Sequence, residues 1–141
     1  MRVERITDIQ EVLKCLPYES EIRSKGREYL RESVQLEFIS STIDNPMFGY
    51  FVAYNDNDEV LGYTFAILNL MIRGHERIIL SRMYAKEPEI RDALIEALEE
   101  WAESYKIEVV QLVTNKHIKV FRRKYGFKPV SVVLERRISN G

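Results

Sequence analysis

The sequence has one cysteine, four prolines and six glycines in 141 residues. Each shortage removes a class of protein. Lone Cys15 cannot close an internal disulfide or build a cysteine-based metal site by itself. It lies beside an apolar helical stripe, where a free cysteine acts as a small packing residue. No apolar run reaches the roughly 18–20 residues of a membrane span. The opening MRVERITDIQEV also lacks the apolar core of a signal peptide. These absences predict a soluble, cytoplasmic chain with no membrane partner. Charge of one sign is missing too, since 21 Lys+Arg oppose 22 Asp+Glu for a net −1. Bulk charge therefore predicts no polyanion-binding role. His75 and His117 stand a whole strand–helix–strand unit apart and suggest no shared metal. What remains is a chain 45% apolar, enough for a core and of a length for one domain, residues 1–141.

Thr7-Asp8-Ile9-Gln10 has the form of a capping box, followed by Ile9, Val12, Leu13 and Leu16 at helical spacing, with Pro17 as the stop. A less regular helical stretch runs from about Glu19 to Ile43, with Ile22, Tyr29 and Leu30 as core candidates and Gly26 as a weak point. Residues 50–54 and 60–68 are aromatic and β-branched runs flanking Asn55-Asp56-Asn57-Asp58, a hairpin signature. The acidic turn fails as an EF-hand, because Leu61 and Ile67 stand where glycine and a bidentate Glu are needed. Residues 77–84 read as a third strand. Ile90, Ala93, Leu94, Ala97, Leu98, Trp101 and Tyr105 then form an apolar stripe on an acidic helix opened by Pro88. Strand 77–84, helix 88–104 and strand 107–114 make a βαβ unit, whose crossover implies parallel strands. A basic helix at 115–125 and a strand with alternating Val130, Val132 and Leu134 complete the chain.

The order β-α-α-β-β-β-α-β-α-β resembles that of the GNAT acyltransferases. The resemblance is most specific at 115–127, where Asn115, Phe121, Lys124, Gly126 and Phe127 match the family's strand-end Asn, helix and Gly-Phe signature. It implies an α/β (α+β) fold: a single GNAT-like domain with a mixed, mostly antiparallel sheet, a central parallel βαβ unit and helices on both faces. It also implies acetyl-CoA as co-substrate, no metal, and an amine-bearing small molecule or protein as acceptor. Main chain at Met83, Tyr84 and Ala85 would then meet the pantetheine arm. Lys86, Arg91, Asp92 and Ala93 would meet the pyrophosphate at a helix start, where unpaired N–H groups favour anions. Asn115, Phe121, Arg122 and Lys124 would flank the cofactor's other side. The sequence departs from the family in two places. No glycine lies between Gly74 and Gly126, so the usual glycine-rich phosphate loop is missing, and Glu87 and Glu89 compete for the same amides. Arg122 occupies the position of the frequent tyrosine and cannot donate a proton at neutral pH. Tyr125 is the substitute acid by i, i+3 spacing, and Glu76, then Tyr84 and Glu37, are the candidate bases.

Near-neutrality hides a local contrast. Residues 87–108 carry eight acids against Arg91 and Lys106, whereas 116–128 carry six bases and no acid. Three function classes follow: an acetyl-CoA-dependent N-acetyltransferase, a catalytically degenerate GNAT-like binding protein, and a nucleic-acid-binding module using helix 116–128. Nucleic acid is the weakest of these partners, because Phe121 and Tyr125 are spaced for core or pocket contact rather than for an exposed stacking platform. Tyr18, Tyr29, Phe38 and Phe48 fit an acceptor wall as readily as a core. The apolar last strand would pair with a second copy, as a homodimer, or be covered internally.

Overall fold

Aromatic and β-branched residues alternate on both sides of the Asn55–Asp58 turn, and they build the hairpin that organises the sheet. The protein is described by a computed structural model covering residues 1–18, 32–114 and 117–138. Strands β1 (Arg2–Arg5), β2 (Phe48–Tyr54), β3 (Val60–Asn69) and β4 (Arg77–Ala85) pair antiparallel in that order. β5 (Val110–Leu112) joins β4 in parallel, closing the order β1-β2-β3-β4-β5. The helices with both ends among the described residues are α1 (Ile9–Leu13), α2 (Glu32–Thr42), α3 (Pro88–Ser104) and α4 (Ile118–Tyr125). The acidic hairpin turn is an Asx turn, with Asn55 Oδ1 accepting from the amides of Asn57 (2.9 Å) and Glu59 (3.0 Å).

The period-two alternation of the strands feeds two cores. On one face, Ile90, Leu94, Leu98 and Trp101 of α3 bury against Phe51, Ala53, Ala66, Leu68, Ile78 and Leu80. On the other, Val12, Ile39 and Ile43 meet Tyr50, Val52 and Tyr63. Helices thus cover both faces. α4 adds Phe121 and Tyr125 to the α3 side.

Three sequence expectations change, and a fourth is met over the part of it that is described. Asp8, not Thr7, caps α1, its carboxylate accepting from the Gln10 amide at 2.9 Å. Asp competes at least as well as Thr for that position, and the shift removes Gln10 from the box. Pro17 does not stop a helix: α1 ends at Leu13, and residues 16–18 are helical again. Of the stretch 19–43, α2 accounts for Glu32–Thr42, while Ile22, Gly26, Tyr29 and Leu30 lie outside the described residues. The last strand does not form. Residues 126–138 form no strand, and Val130, Val132 and Leu134 are 75%, 84% and 90% exposed. Alternation says which side of a strand is apolar, but a strand also needs a neighbour's backbone, and no described residue supplies it. The parallel β4–β5 pair accordingly lies at one end of the sheet.

The Gly126-Phe127 signature has a local cause. Gly126 closes α4 at φ 71°, the Phe127 amide donates to Phe121 O (3.1 Å), and the two phenyl rings meet edge-on at 5.6 Å. A left-handed glycine thus ends the helix, and an apolar contact accompanies it. Gly126→Ala is expected to cost about 1 kcal/mol, because alanine must enter the left-handed region. Thermal unfolding should show a Tm lower by about 3–5 °C.

Candidate active site

A one-residue bulge positions the site. Between β3 and β4, Phe65 pairs with Arg82 and Ala66 with Leu80, leaving Ser81 as the extra residue. A bulge shifts the alternation of every residue after it. Before it, Ile78 and Leu80 face the α3 core; after it, Met83 and Ala85 do, and Tyr84 turns to the opposite cluster. Ser81 Oγ donates to Phe65 O (2.9 Å) and Thr64 Oγ1 to Arg82 O (2.9 Å), pinning the irregularity from both strands.

The same bulge governs the main chain. β5 lies opposite β4 only at Ile78–Leu80, so beyond Leu80 that edge of β4 has no strand partner among the described residues. The Lys86 amide donates to Leu61 O on β3 at 3.0 Å. Tyr84 O also points at β3, only 2.6 Å from where a Gly62 Cβ would sit. Main-chain groups alternate sides along a strand, so those of Met83 and Ala85 face the open edge. Among the described residues no strand pairs with these amides and carbonyls, which lie in an extended segment suited to a ligand that itself carries amides.

Only Lys86 and Glu87 separate β4 from α3, so no phosphate-cradling loop is formed. Pro88 has no N–H, and the amides of Ile90 and Arg91 both donate to Glu87 O (3.1 and 3.3 Å). Cations surround this turn instead. Lys86 Nζ lies 5.2 Å from the Tyr18 ring centre. Arg91 Nε donates to Tyr125 Oη at 3.1 Å. Tyr125 in turn donates to Asp92 Oδ1, which Lys124 Nζ meets at 2.9 Å. The acidic and basic helices therefore touch through Asp92 and Lys124. The Tyr125 hydrogen bond, then that of Lys124, holds the Asp92 carboxyl below its ordinary range. Burial, then the bond to Asp92, raises the Tyr125 hydroxyl, so it stays protonated at neutral pH.

On the α1–α2 face, the bulge borders a cavity of about 360 Å³. Its walls include Phe38 and Phe48, edge-to-face at 5.9 Å, and Tyr50 and Phe65, edge-to-face at 5.0 Å. Ser81 and Arg82 line it from β4. Of the aromatics singled out from sequence, Phe38 and Phe48 line this cavity. Tyr18 stacks on Tyr84 at 5.0 Å, and Tyr29 lies outside the described residues. Sequence reasoning missed Tyr50, Phe65 and the bulge. The one signal was the polar pair Ser81-Arg82 inside an apolar run.

The structure therefore gathers Met83, Ala85, Phe121 and Tyr125 against the α3 core, with Lys86, Arg91, Asp92, Ala93 and Lys124 around the α3 start. Arg122 is on the exposed side of α4, and Asn115 lies outside the described residues. Glu76 is not brought to this group. It precedes β4, five residues or about 16 Å of strand from Ser81. Both its oxygens accept from the Gly74 amide at 3.1 Å. Hydrogen bonds from main-chain amides, its own and then that of Gly74, hold its carboxyl below the ordinary range. In this arrangement Glu76 ties down the turn before β4. Glu37 is exposed on α2. Among the described residues no group of three His, Cys, Asp or Glu side chains could hold a metal, and no helix is long and apolar enough to cross a membrane.

No family model and no curated protein matches the chain. Solved structures do. An aminoglycoside antibiotic 6′-N-acetyltransferase from Acinetobacter baumannii matches with TM-score 0.72 and 14% identity, over 99% of both chains. A predicted acetyltransferase from Clostridium acetobutylicum, solved with acetyl-CoA, gives 0.76 and 17%, over 97% of this chain and 96% of that one. Glucosamine-6-phosphate N-acetyltransferase from Arabidopsis thaliana gives 0.70 and 13%, over 98% of both. The chain has the GNAT acetyltransferase fold. At these identities the likeness is one of fold, and the GNAT sheet accounts for the element order seen here.

Proposed function

We propose that this GNAT-fold chain transfers an acetyl group from acetyl-CoA to a primary amine. The observation that carries it is the open edge of β4, with the main chain of Met83 and Ala85 turned outward beside a cavity reaching the Ser81 bulge. An amide-bearing pantetheine arm would add to that edge as a short strand does. The residues present fit the arm better than they fit the pyrophosphate, which finds few free amides at the α3 start. Side chains would hold it instead: Lys86 and Arg91 at the head of α3, with Arg122 and Lys124 from α4, Lys124 exchanging its Asp92 partner for phosphate. Asp92 and Ala93 frame that turn, Phe121 closes its apolar side, and Asn115 is assigned to the cofactor by the family resemblance alone.

In the reaction the neutral amine forms a bond to the thioester carbonyl carbon and the C–S bond breaks. The amine's proton passes to water, and the departing thiolate takes up a proton. Tyr125, protonated and packed against the same core cluster as Met83 and Ala85, is the proton donor in this scheme, and Tyr84 lies on the acceptor face of β4. Calorimetric titration with acetyl-CoA is expected to give one saturable site, and an amine should accelerate release of free thiol. No heat at millimolar acetyl-CoA overturns the proposal.

A further inference from the structure

We infer that the acceptor is a primary amine carrying one aromatic ring on a short alkyl arm, seated in the cavity of the α1–α2 face. The inference rests on the acetyl-transfer proposal for the reaction, and on the cavity alone for the substrate class. About 360 Å³ is at the small end of ligand pockets, room for one ring and a short chain rather than for a multi-ring sugar. Four rings, Phe38, Phe48, Tyr50 and Phe65, line it in two edge-to-face pairs, and a ligand ring would gain aromatic contacts from them. The Tyr50 hydroxyl is engaged with Thr42 Oγ1 at 2.6 Å, so Tyr50 offers its ring rather than a polar group.

The charge lining agrees. Among the described lining residues the one ionised side chain is Arg82, a cation. A polycationic amino sugar would exchange the hydration of several charges for aromatic walls, and no acidic side chain is among the described lining residues. An arylalkylamine brings a single charge, and reaction requires that charge to be lost. Apolar surroundings disfavour the ammonium form. Entry into this cavity therefore moves the amine toward its nucleophilic state, and no carboxylate is among the described lining residues. Lining residues Ser81 and Arg82 belong to the bulge where the open β4 edge begins. A ring in the cavity thus places its amine toward the strand that would hold the thioester.

The test uses the full chain, with phenethylamine as probe and glucosamine and kanamycin as competitors. Binding of each is measured by calorimetry without acetyl-CoA, and kcat/KM by thiol release with it. Phenethylamine is expected to bind and to be acetylated with kcat/KM at least tenfold above either sugar. Phe38 is 55% exposed on α2, so Phe38→Ala should keep the fold. It should lower kcat/KM for phenethylamine about tenfold with acetyl-CoA affinity unchanged. Phe38→Glu should move the preference toward the cationic sugars. Acetyl-CoA binding without phenethylamine binding, or faster turnover of either sugar, overturns the inference and leaves the acetyl-transfer proposal standing. Phenethylamine binding without acetyl-CoA binding supports the cavity assignment and overturns acetyl transfer.

Discussion

A Gly62→Ala variant is expected to lose about 2–3 kcal/mol of stability, at the upper end of what overpacking a tight site costs. An added Cβ would stand 2.6 Å from Tyr84 O, 2.8 Å from Ile90 Cγ2 and 3.1 Å from Ala85 Cα. Two of those neighbours are backbone and cannot swing aside, and the third is the buried first anchor of α3. The usual gain from Gly→Ala, about 0.4–1 kcal/mol through the unfolded chain, is too small to offset this. The strain falls on the β4 segment that presents Met83 and Ala85, so acetyl-CoA affinity should weaken together with stability. Urea unfolding and calorimetry on one preparation measure both. Unchanged stability would mean that β3, β4 and α3 do not meet as closely as described.

The second large effect separates binding from folding. Ala85→Pro is expected to weaken acetyl-CoA binding about tenfold, near 1.4 kcal/mol, the upper part of the range for a single hydrogen bond. Main-chain donors cannot be deleted by trimming a side chain, but proline removes one. Ala85 ends β4 and its N–H faces the open edge, where a proline breaks no ladder bond. Its side chain is small, so little packing is lost. The measurement is the acetyl-CoA dissociation constant, with unfolding as a control. Weakened binding with the cooperative transition retained is the expected pair of results.

How much of this was legible in the sequence follows from the range of each interaction. The β2–β3 hairpin, the β4-α3-β5 crossover and the Gly126 cap are set by neighbours within a few residues, and all three can be read from residue order. The absent glycines between Gly74 and Gly126 correspond to a real feature, a two-residue connection from β4 into α3 with its first amides largely spent. The Ser81 bulge was not legible, because register belongs to two strands at once. Its consequence, Tyr84 turned to one face while Met83 and Ala85 keep the other, decides which residues reach the site. Tyr125 was picked as a phenol on a helix face. Its partner Asp92 lies 33 positions away, and helical spacing carries no information about it. Val130, Val132 and Leu134 show the opposite failure. A faithful strand pattern produced no strand, because pattern supplies the side chains of a strand and not its neighbour.

The most direct measurement is backbone amide NMR of the labelled protein during titration with acetyl-CoA. The Met83 and Ala85 amides should shift progressively and saturate together at one equivalent of ligand, with Lys86 and Arg91 following at the head of α3. Saturable shifts confined to the exposed basic side of α4, around Arg122 and Arg123, with Met83 and Ala85 unmoved, would contradict the account.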